Sequence, residues 1–173
     1  RIVLFTTLMV VGMMSMIDMY SPALPDMARQ FGVDNTWIQL TVGTYLLGLA
    51  FMPLFFGPIS DVYGRKRVAC FGLMATILST ILVSFSTNIF WFCFFRFIQG
   101  CSAGGLTAVS RPMIRDVARG RTYARYAAYV GMAIMTSPTL SPALGGYLNH
   151  WHGWRLIFWF LAVYFSILLV AFY

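Results

Sequence analysis

Six apolar runs, each near the length that crosses a bilayer, constrain this chain more than any other feature. They lie at about 2–20, 37–58, 68–86, 90–113, 124–148 and 154–173. About 20 apolar residues in helical rise span the hydrocarbon core. No water is present there to satisfy backbone N–H and C=O groups, so each run has to be a helix. A soluble domain of 173 residues does not need a chain that is 60% hydrophobic and 10% charged. The first run is too long for the apolar region of a signal peptide, and no small-residue cleavage site follows it. It is read as a retained helix. The predicted fold class is an all-α membrane protein with six transmembrane helices.

Charge gives the helices a direction. Twelve Lys and Arg stand against five acids, all Asp, for a net charge of +7. The cations gather at span ends and not along one solvated face, which argues against a nucleic-acid partner. Arg1, Arg65, Lys66, Arg67, Arg111, Arg115, Arg119, Arg121 and Arg125 lie at the start or near the second and fourth connections. Arg29 and Arg155 lie near the first and fifth, and Arg96 is inside a span. The positive-inside rule then places the N-terminus and the even connections in the cytoplasm of a multi-pass inner (plasma) membrane protein. The third connection, around Thr87-Asn88, is short and uncharged, as a tight outer turn should be. Three helices, a turn and three more helices fit a pair of inverted repeats. The chain starts without Met and stops inside an apolar run, so it is expected to be the N-terminal half of a longer protein.

The most demanding local pattern is Gly57-Pro58-Ile59-Ser60-Asp61-Val62-Tyr63-Gly64-Arg65-Lys66-Arg67, between the second and third runs. A basic anchor needs only the cations. Here Gly57 permits close approach of another helix, and Gly64 allows a tight turn. Asp61 is placed to meet a helix N-terminus or the cations after it. Arg65 can fork onto a carboxylate, and Asp116, at the end of the fourth run, is a second candidate partner. Charges that pair in one conformation and separate in another form a latch.

Inside the spans, ionisable groups are costly and face a cavity or a partner. Asp18 is the acid that lies well inside an apolar run. At the helical rise it stands roughly 25 Å from the cytoplasmic end, and nearer the middle if the helix continues through Pro22 and Pro25. Arg96 comes from the opposite direction to a broadly similar depth, so the two are a natural pair. A structural tie of Arg96 to backbone carbonyls is the alternative. Arg96, Gln99, Ala103 and Thr107 lie close to one helix face, as do Thr7, Met14, Asp18 and Ser21. Gly100, Ala103, Gly104 and Gly105 permit close helix contact, most simply as packing. Tyr45, one turn after Thr41, forms a cavity wall or bonds a neighbouring helix. In the fifth run Pro138 and Pro142 each remove a backbone hydrogen bond and should bend the helix. Gly145 and Gly146 follow them as a flat surface.

Metal and covalent chemistry find little support. Cys70, Cys93 and Cys101 are an odd set without a Cys-x-x-Cys, and His150-x-His152 has no carboxylate or Cys nearby. No His lies inside a span, no Gly-x-Ser-x-Gly is present, and neither a metal nor a cofactor is implied. The chain does not read as an enzyme.

Together these segments resemble the N-terminal half of a major facilitator superfamily transporter over nearly the whole chain. Gly57–Arg67 matches the loop motif of that family, and Arg96-x-x-Gln99-Gly100 matches the motif of its fourth helix. Ser141-Pro142-x-x-Gly145-Gly146 is similar to the fifth-helix motif associated with antiporters, with Ser137 and Ser141 at positions usually held by Gly. Ile17-Asp18-Met19-Tyr20-Ser21-Pro22-Ala23-Leu24-Pro25, with Thr41-x-x-x-Tyr45, resembles the drug:proton antiporters of the bacterial Bcr/CflA multidrug-resistance type. The resemblance implies one half, a 3+3 inverted repeat, of a twelve-helix fold with a central cavity, the C-terminal six-helix half being supplied by the rest of the protein. It implies proton-coupled efflux of drug-like small molecules by alternating access. Asp18 and Arg96 would couple protons to substrate, because a carboxyl whose surroundings change between states changes its proton affinity. Met14, Tyr45, Gln99, Thr107 and Ser137 would line the substrate cavity, and Gly57, Asp61, Gly64, Arg65 and Asp116 would form the cytoplasmic latch. Pro138, Pro142, Gly145 and Gly146 would make the antiporter-type kink. A facilitator-fold carrier of a sugar or nucleobase, by uniport or symport, is the alternative. A non-transporting membrane scaffold is the alternative of another class.

Overall fold

The computed structural model describes residues 2–172. Arg1, the first cation of the charge pattern, and Tyr173, the last residue of the sixth run, lie outside the described residues. Within them the chain forms eight α-helices and one 3-10 turn: α1 (Ile2–Asp18), the turn Ser21–Ala23, α2 (Leu24–Phe31), α3 (Asn35–Phe51), α4 (Pro53–Tyr63), α5 (Arg65–Ser84), α6 (Ile89–Val117), α7 (Gly120–His152) and α8 (Trp154–Phe172).

Proline marks where the helices of the first two spans restart. Pro22 and Pro25 each stand in the first turn of a new helical piece, where a missing N–H costs nothing. The path from Ile2 to Phe31 is therefore one apolar span of 30 residues, broken after Asp18 and not ended at Tyr20. Asp18 lies near its middle. Gly32 closes it with φ +63, the left-handed cap that glycine adopts without strain. In the second span Pro53 opens α4, and the axis turns there by 42°. The predicted end at residue 58 is corrected: Ile59, Ser60, Asp61, Val62 and Tyr63 continue the helix, and the connection to α5 is Gly64 alone, at φ +91.

Four helices are long and apolar enough to cross a membrane, or five if α3 and α4 count as one bent span. The fifth predicted run, α7, has 33 residues and ample length. Its composition is more polar, because Thr136, Ser137, Thr139 and Ser141 interrupt the apolar sequence.

At the centre α6 packs on α3, α5, α4 and α1, while α8 packs on α5 and α1 packs on α7. Small residues set the α3–α6 seam. A side chain added at Gly48 would meet the backbone of Phe97 and Cys101, one at Gly100 that of Tyr45, and one at Gly104 that of Leu49. Close backbone approach of this kind is how helices associate where lipid removes the hydrophobic driving force between them. Met9, Met13 and Met16, on one face of α1, are fully buried together with Phe92, Phe158 and Phe165. Outward, Leu54, Val62, Leu78, Phe90, Ile167 and Val170 are exposed. Such a surface is a liability in water and the expected one in hydrocarbon.

Candidate functional site

The most deeply placed charge is Arg96, which is fully buried with Gln99 beside it on α6. Arg96 Nη1 donates to Gln99 Oε1 at 2.6 Å and to the Met16 carbonyl at 3.3 Å. Gln99 Nε2 donates to Thr80 Oγ1 at 2.7 Å, so α6 is tied to α5 by the same side chain that holds the arginine. A second bond, Thr76 Oγ1 to Ser102 Oγ at 2.9 Å, repeats that link one turn further on. The guanidinium carbon lies 4.3 Å from the Tyr20 ring centre and 4.4 Å from that of Tyr45. Aromatic faces attract a desolvated cation. Among the described residues, Nε and Nη2 of Arg96 and the hydroxyl of Tyr20 have no hydrogen-bond partner.

The predicted Asp18–Arg96 ion pair is corrected. Among the described residues no ion pair joins them. The cause is the break after Asp18: Arg96 reaches the carbonyl of Met16 in the last turn of α1 and is enclosed by Tyr20 and Tyr45. Asp18 itself is half-buried. Tyr45 donates its hydroxyl to the Met13 carbonyl at 3.2 Å, as the packing alternative expects. Tyr45 and Gln99 are completely buried and therefore do not line an open cavity in this conformation.

A cavity of about 680 Å³ opens between α1, α6, α7 and the α3–α4 junction. Of the five predicted wall residues, Met14 and Thr107 line it; Tyr45, Gln99 and Ser137 do not. Arg111, Arg115 and Tyr123, which sequence reasoning left out of the cavity, stand at its basic end. The signal for Arg111 and Arg115 was the helical register of α6, in which they follow Thr107 at intervals of four.

Ser137 belongs to a different group. Ser15 Oγ lies 2.9 Å from Ser141 Oγ and 3.3 Å from Ser137 Oγ. These three hydroxyls clasp α1 to α7. One turn on, Gly145 faces the Met19 backbone so closely that any side chain would collide with it. A Cβ added at Gly146 would meet Pro22 only at ordinary contact distance, 3.9 Å. α7 runs through Pro138 and Pro142 as one uninterrupted helix.

At the end that carries the α4–α5 and α6–α7 connections, Arg65 gathers three partners. Its Nη2 reaches Asp61 at 3.2 Å, its Nη1 donates to the Pro112 carbonyl at 2.8 Å, and it also pairs with Asp116. Gly64 supplies the positive φ that lets Arg65 restart a helix directly after α4. Gly57 has open space around it and makes no close approach within this bundle. No group of three or more His, Cys, Asp or Glu able to hold a metal occurs among the described residues.

These elements recur in known proteins. The model of the Major Facilitator Superfamily matches residues 4–173. The chain belongs to the major facilitator superfamily. It is 33% identical over 163 residues to multidrug resistance protein D of Escherichia coli, covering 94% of this chain and 41% of that protein. It is 32% identical over 148 residues to a chloramphenicol resistance protein of Pseudomonas aeruginosa, covering 85% of this chain and 35% of that protein. The chain thus spans about two fifths of the length of such relatives. A proton:xylose symporter of the superfamily superposes with a TM-score of 0.88 at 16% identity, over 99% of this chain and 43% of that one. That likeness is one of fold. Superfamily membership together with the apolar helices makes this an integral membrane protein. Its family and fold are those of transporters and not of enzymes.

Proposed function

We propose that the chain is the N-terminal six-helix bundle of a proton-coupled exporter of drug-like small molecules, in the cell inner membrane with its N-terminus in the cytoplasm. The observation that carries this reading is the cavity bounded by α1, α6 and α7, lined by Met14 and Thr107 and opening where the cations gather. Methionine and aromatic walls adapt to varied apolar shapes. The relatives named for drug resistance support the substrate class.

Alternating access requires a second bundle, which a longer chain would supply. Asp18 is assigned the proton. It stands next to the turn that carries Tyr20, and its helix delivers the Met16 carbonyl to Arg96. A shift of α1 against α6 changes what surrounds both groups, and with it the proton affinity of the carboxyl. Arg65, with Asp61 and Asp116, is assigned the latch on the cytoplasmic side. Its charged partners come from α4 and α6, so separating those helices breaks it.

The test is drug-triggered proton movement in liposomes that hold the full-length protein. Proton release that appears with drug and vanishes in Asp18→Asn is the expected result. Drug transport without any linked proton signal would point instead to uniport and leave Asp18 outside the coupling.

A further inference from the structure

Two cations that line the cavity have no ion-pair partner among the described residues. Arg111 and Arg115 stand one helical turn apart on α6, and both line it. The two acids of that end, Asp61 and Asp116, are already engaged by Arg65. Among the described residues no carboxylate lines the cavity, and much of the remaining wall is apolar or aromatic, with Met14, Ile134 and Tyr123 facing the same space.

We infer that this cavity selects small organic anions, an apolar body bearing one carboxylate or sulfonate, over cations of the same shape. The inference rests on the export reading for the direction of traffic and on the cavity alone for binding. Like charges in a concave site with low-dielectric walls reinforce one another and attract the opposite sign. A guanidinium matches the two oxygens of a carboxylate with a pair of parallel N–H donors. The body of the molecule then lies against Met14 and Ile134 with a ring near Tyr123. An ammonium in the same place would meet two unpaired cations. An anionic lipid headgroup offers the same chemistry, and the test separates the two sources.

Three probes with one body serve: 2-naphthoate, its neutral amide, and the corresponding aminomethyl cation. Each is titrated by calorimetry against the full-length protein in nanodiscs of phosphatidylcholine, with and without phosphatidylglycerol. The carboxylate should bind at least about tenfold more tightly than the cation. Arg111→Gln with Arg115→Gln should abolish that preference and leave the amide within about twofold. Arg111→Lys with Arg115→Lys should keep the preference, which separates a lost charge from a lost fold. Equal binding of anion and cation by the native protein overturns the inference. So does a loss of amide binding as large as that of the carboxylate in the glutamine variant. Arginine-dependent displacement of the carboxylate by phosphatidylglycerol assigns the site to lipid and overturns the small-molecule assignment. Binding is read without transport, so a failed proton assay with intact anion preference removes the export reading and leaves this one standing.

Discussion

Helix α6 has two regions of opposite character. From Phe92 to Gly105 its inward face is sealed: Gly100 and Gly104 admit the α3 backbone, and Arg96, Gln99 and Ser102 are buried with their bonds directed into the bundle. From Thr107 to Arg115 the same helix borders a hollow, and α7 stands off from it. The difference lies in which neighbour comes close. Where glycine meets backbone, the helices close completely and the polar groups have to satisfy one another. Where α6 presents Thr107, Ser110 and Arg111 toward α7, no backbone closes over them and space for a molecule remains. Arg96 and Arg111 are both arginines on one helix, yet only the second is reachable.

The contrast breaks most easily at glycine. Gly100→Val should lower stability by about 1–3 kcal/mol or more, since the α3 backbone cannot yield like a side chain. Gly131→Val, on α7 where an added Cβ would meet nothing within 4 Å, should stay within about 0.5 kcal/mol. Thermal unfolding in detergent compares them, and equal shifts would mean that the sealed seam is not sealed.

A polar version of the test uses Gln99 and Thr107. Gln99→Leu strips Arg96 and Thr80 of a buried partner and should cost about 1–3 kcal/mol. Thr107→Val loses a hydroxyl bonded only to the Gly104 carbonyl of its own helix and should be close to neutral for folding. Denaturant titration of both would show whether burial or mere polarity decides.

Smaller effects sharpen the hollow side. Ser15→Ala should cost about 0.5–1.5 kcal/mol, and adding Ser141→Ala should cost less than a second full increment, because the two hydroxyls share one bond. Strict additivity in a double-mutant cycle would deny the clasp. Asp61→Asn should cost about 0–1 kcal/mol, since that pair is exposed and Arg65 retains Asp116 and the Pro112 carbonyl.

Much of this architecture was legible in the residues. The apolar runs predicted the helices, and the sequence offered Asp61 in the loop motif and Asp116 at the end of the fourth run as partners of Arg65, which pairs with both. Two kinds of information were missing. Pro53 bends the second span and Pro22 restarts the first, but a run of hydropathy does not register a change of axis. For the same reason the loop motif read as a connection when all but Gly64 continues or begins a helix. The second gap is tertiary. Depth alone suggested that Asp18 and Arg96 should meet, whereas the last turn of α1 presents the Met16 carbonyl and the break after it places the Tyr20 ring against the cation. Ser137 was placed in the cavity by the family resemblance alone, and its partner Ser15 lies more than a hundred residues away in sequence. Substituting serine for the usual glycines became meaningful only with α1 and α7 side by side.

The enclosure of Arg96 has an optical consequence. Two phenol chromophores, Tyr20 and Tyr45, lie within 4.4 Å of one guanidinium carbon. The near-ultraviolet absorption of a phenol responds to a charge held so near, so the native chain contains an unlabelled spectroscopic gauge of where that cation sits. A difference spectrum on adding substrate or acid would register any displacement of Arg96, and Tyr45→Phe would identify the share of the signal that comes from α3.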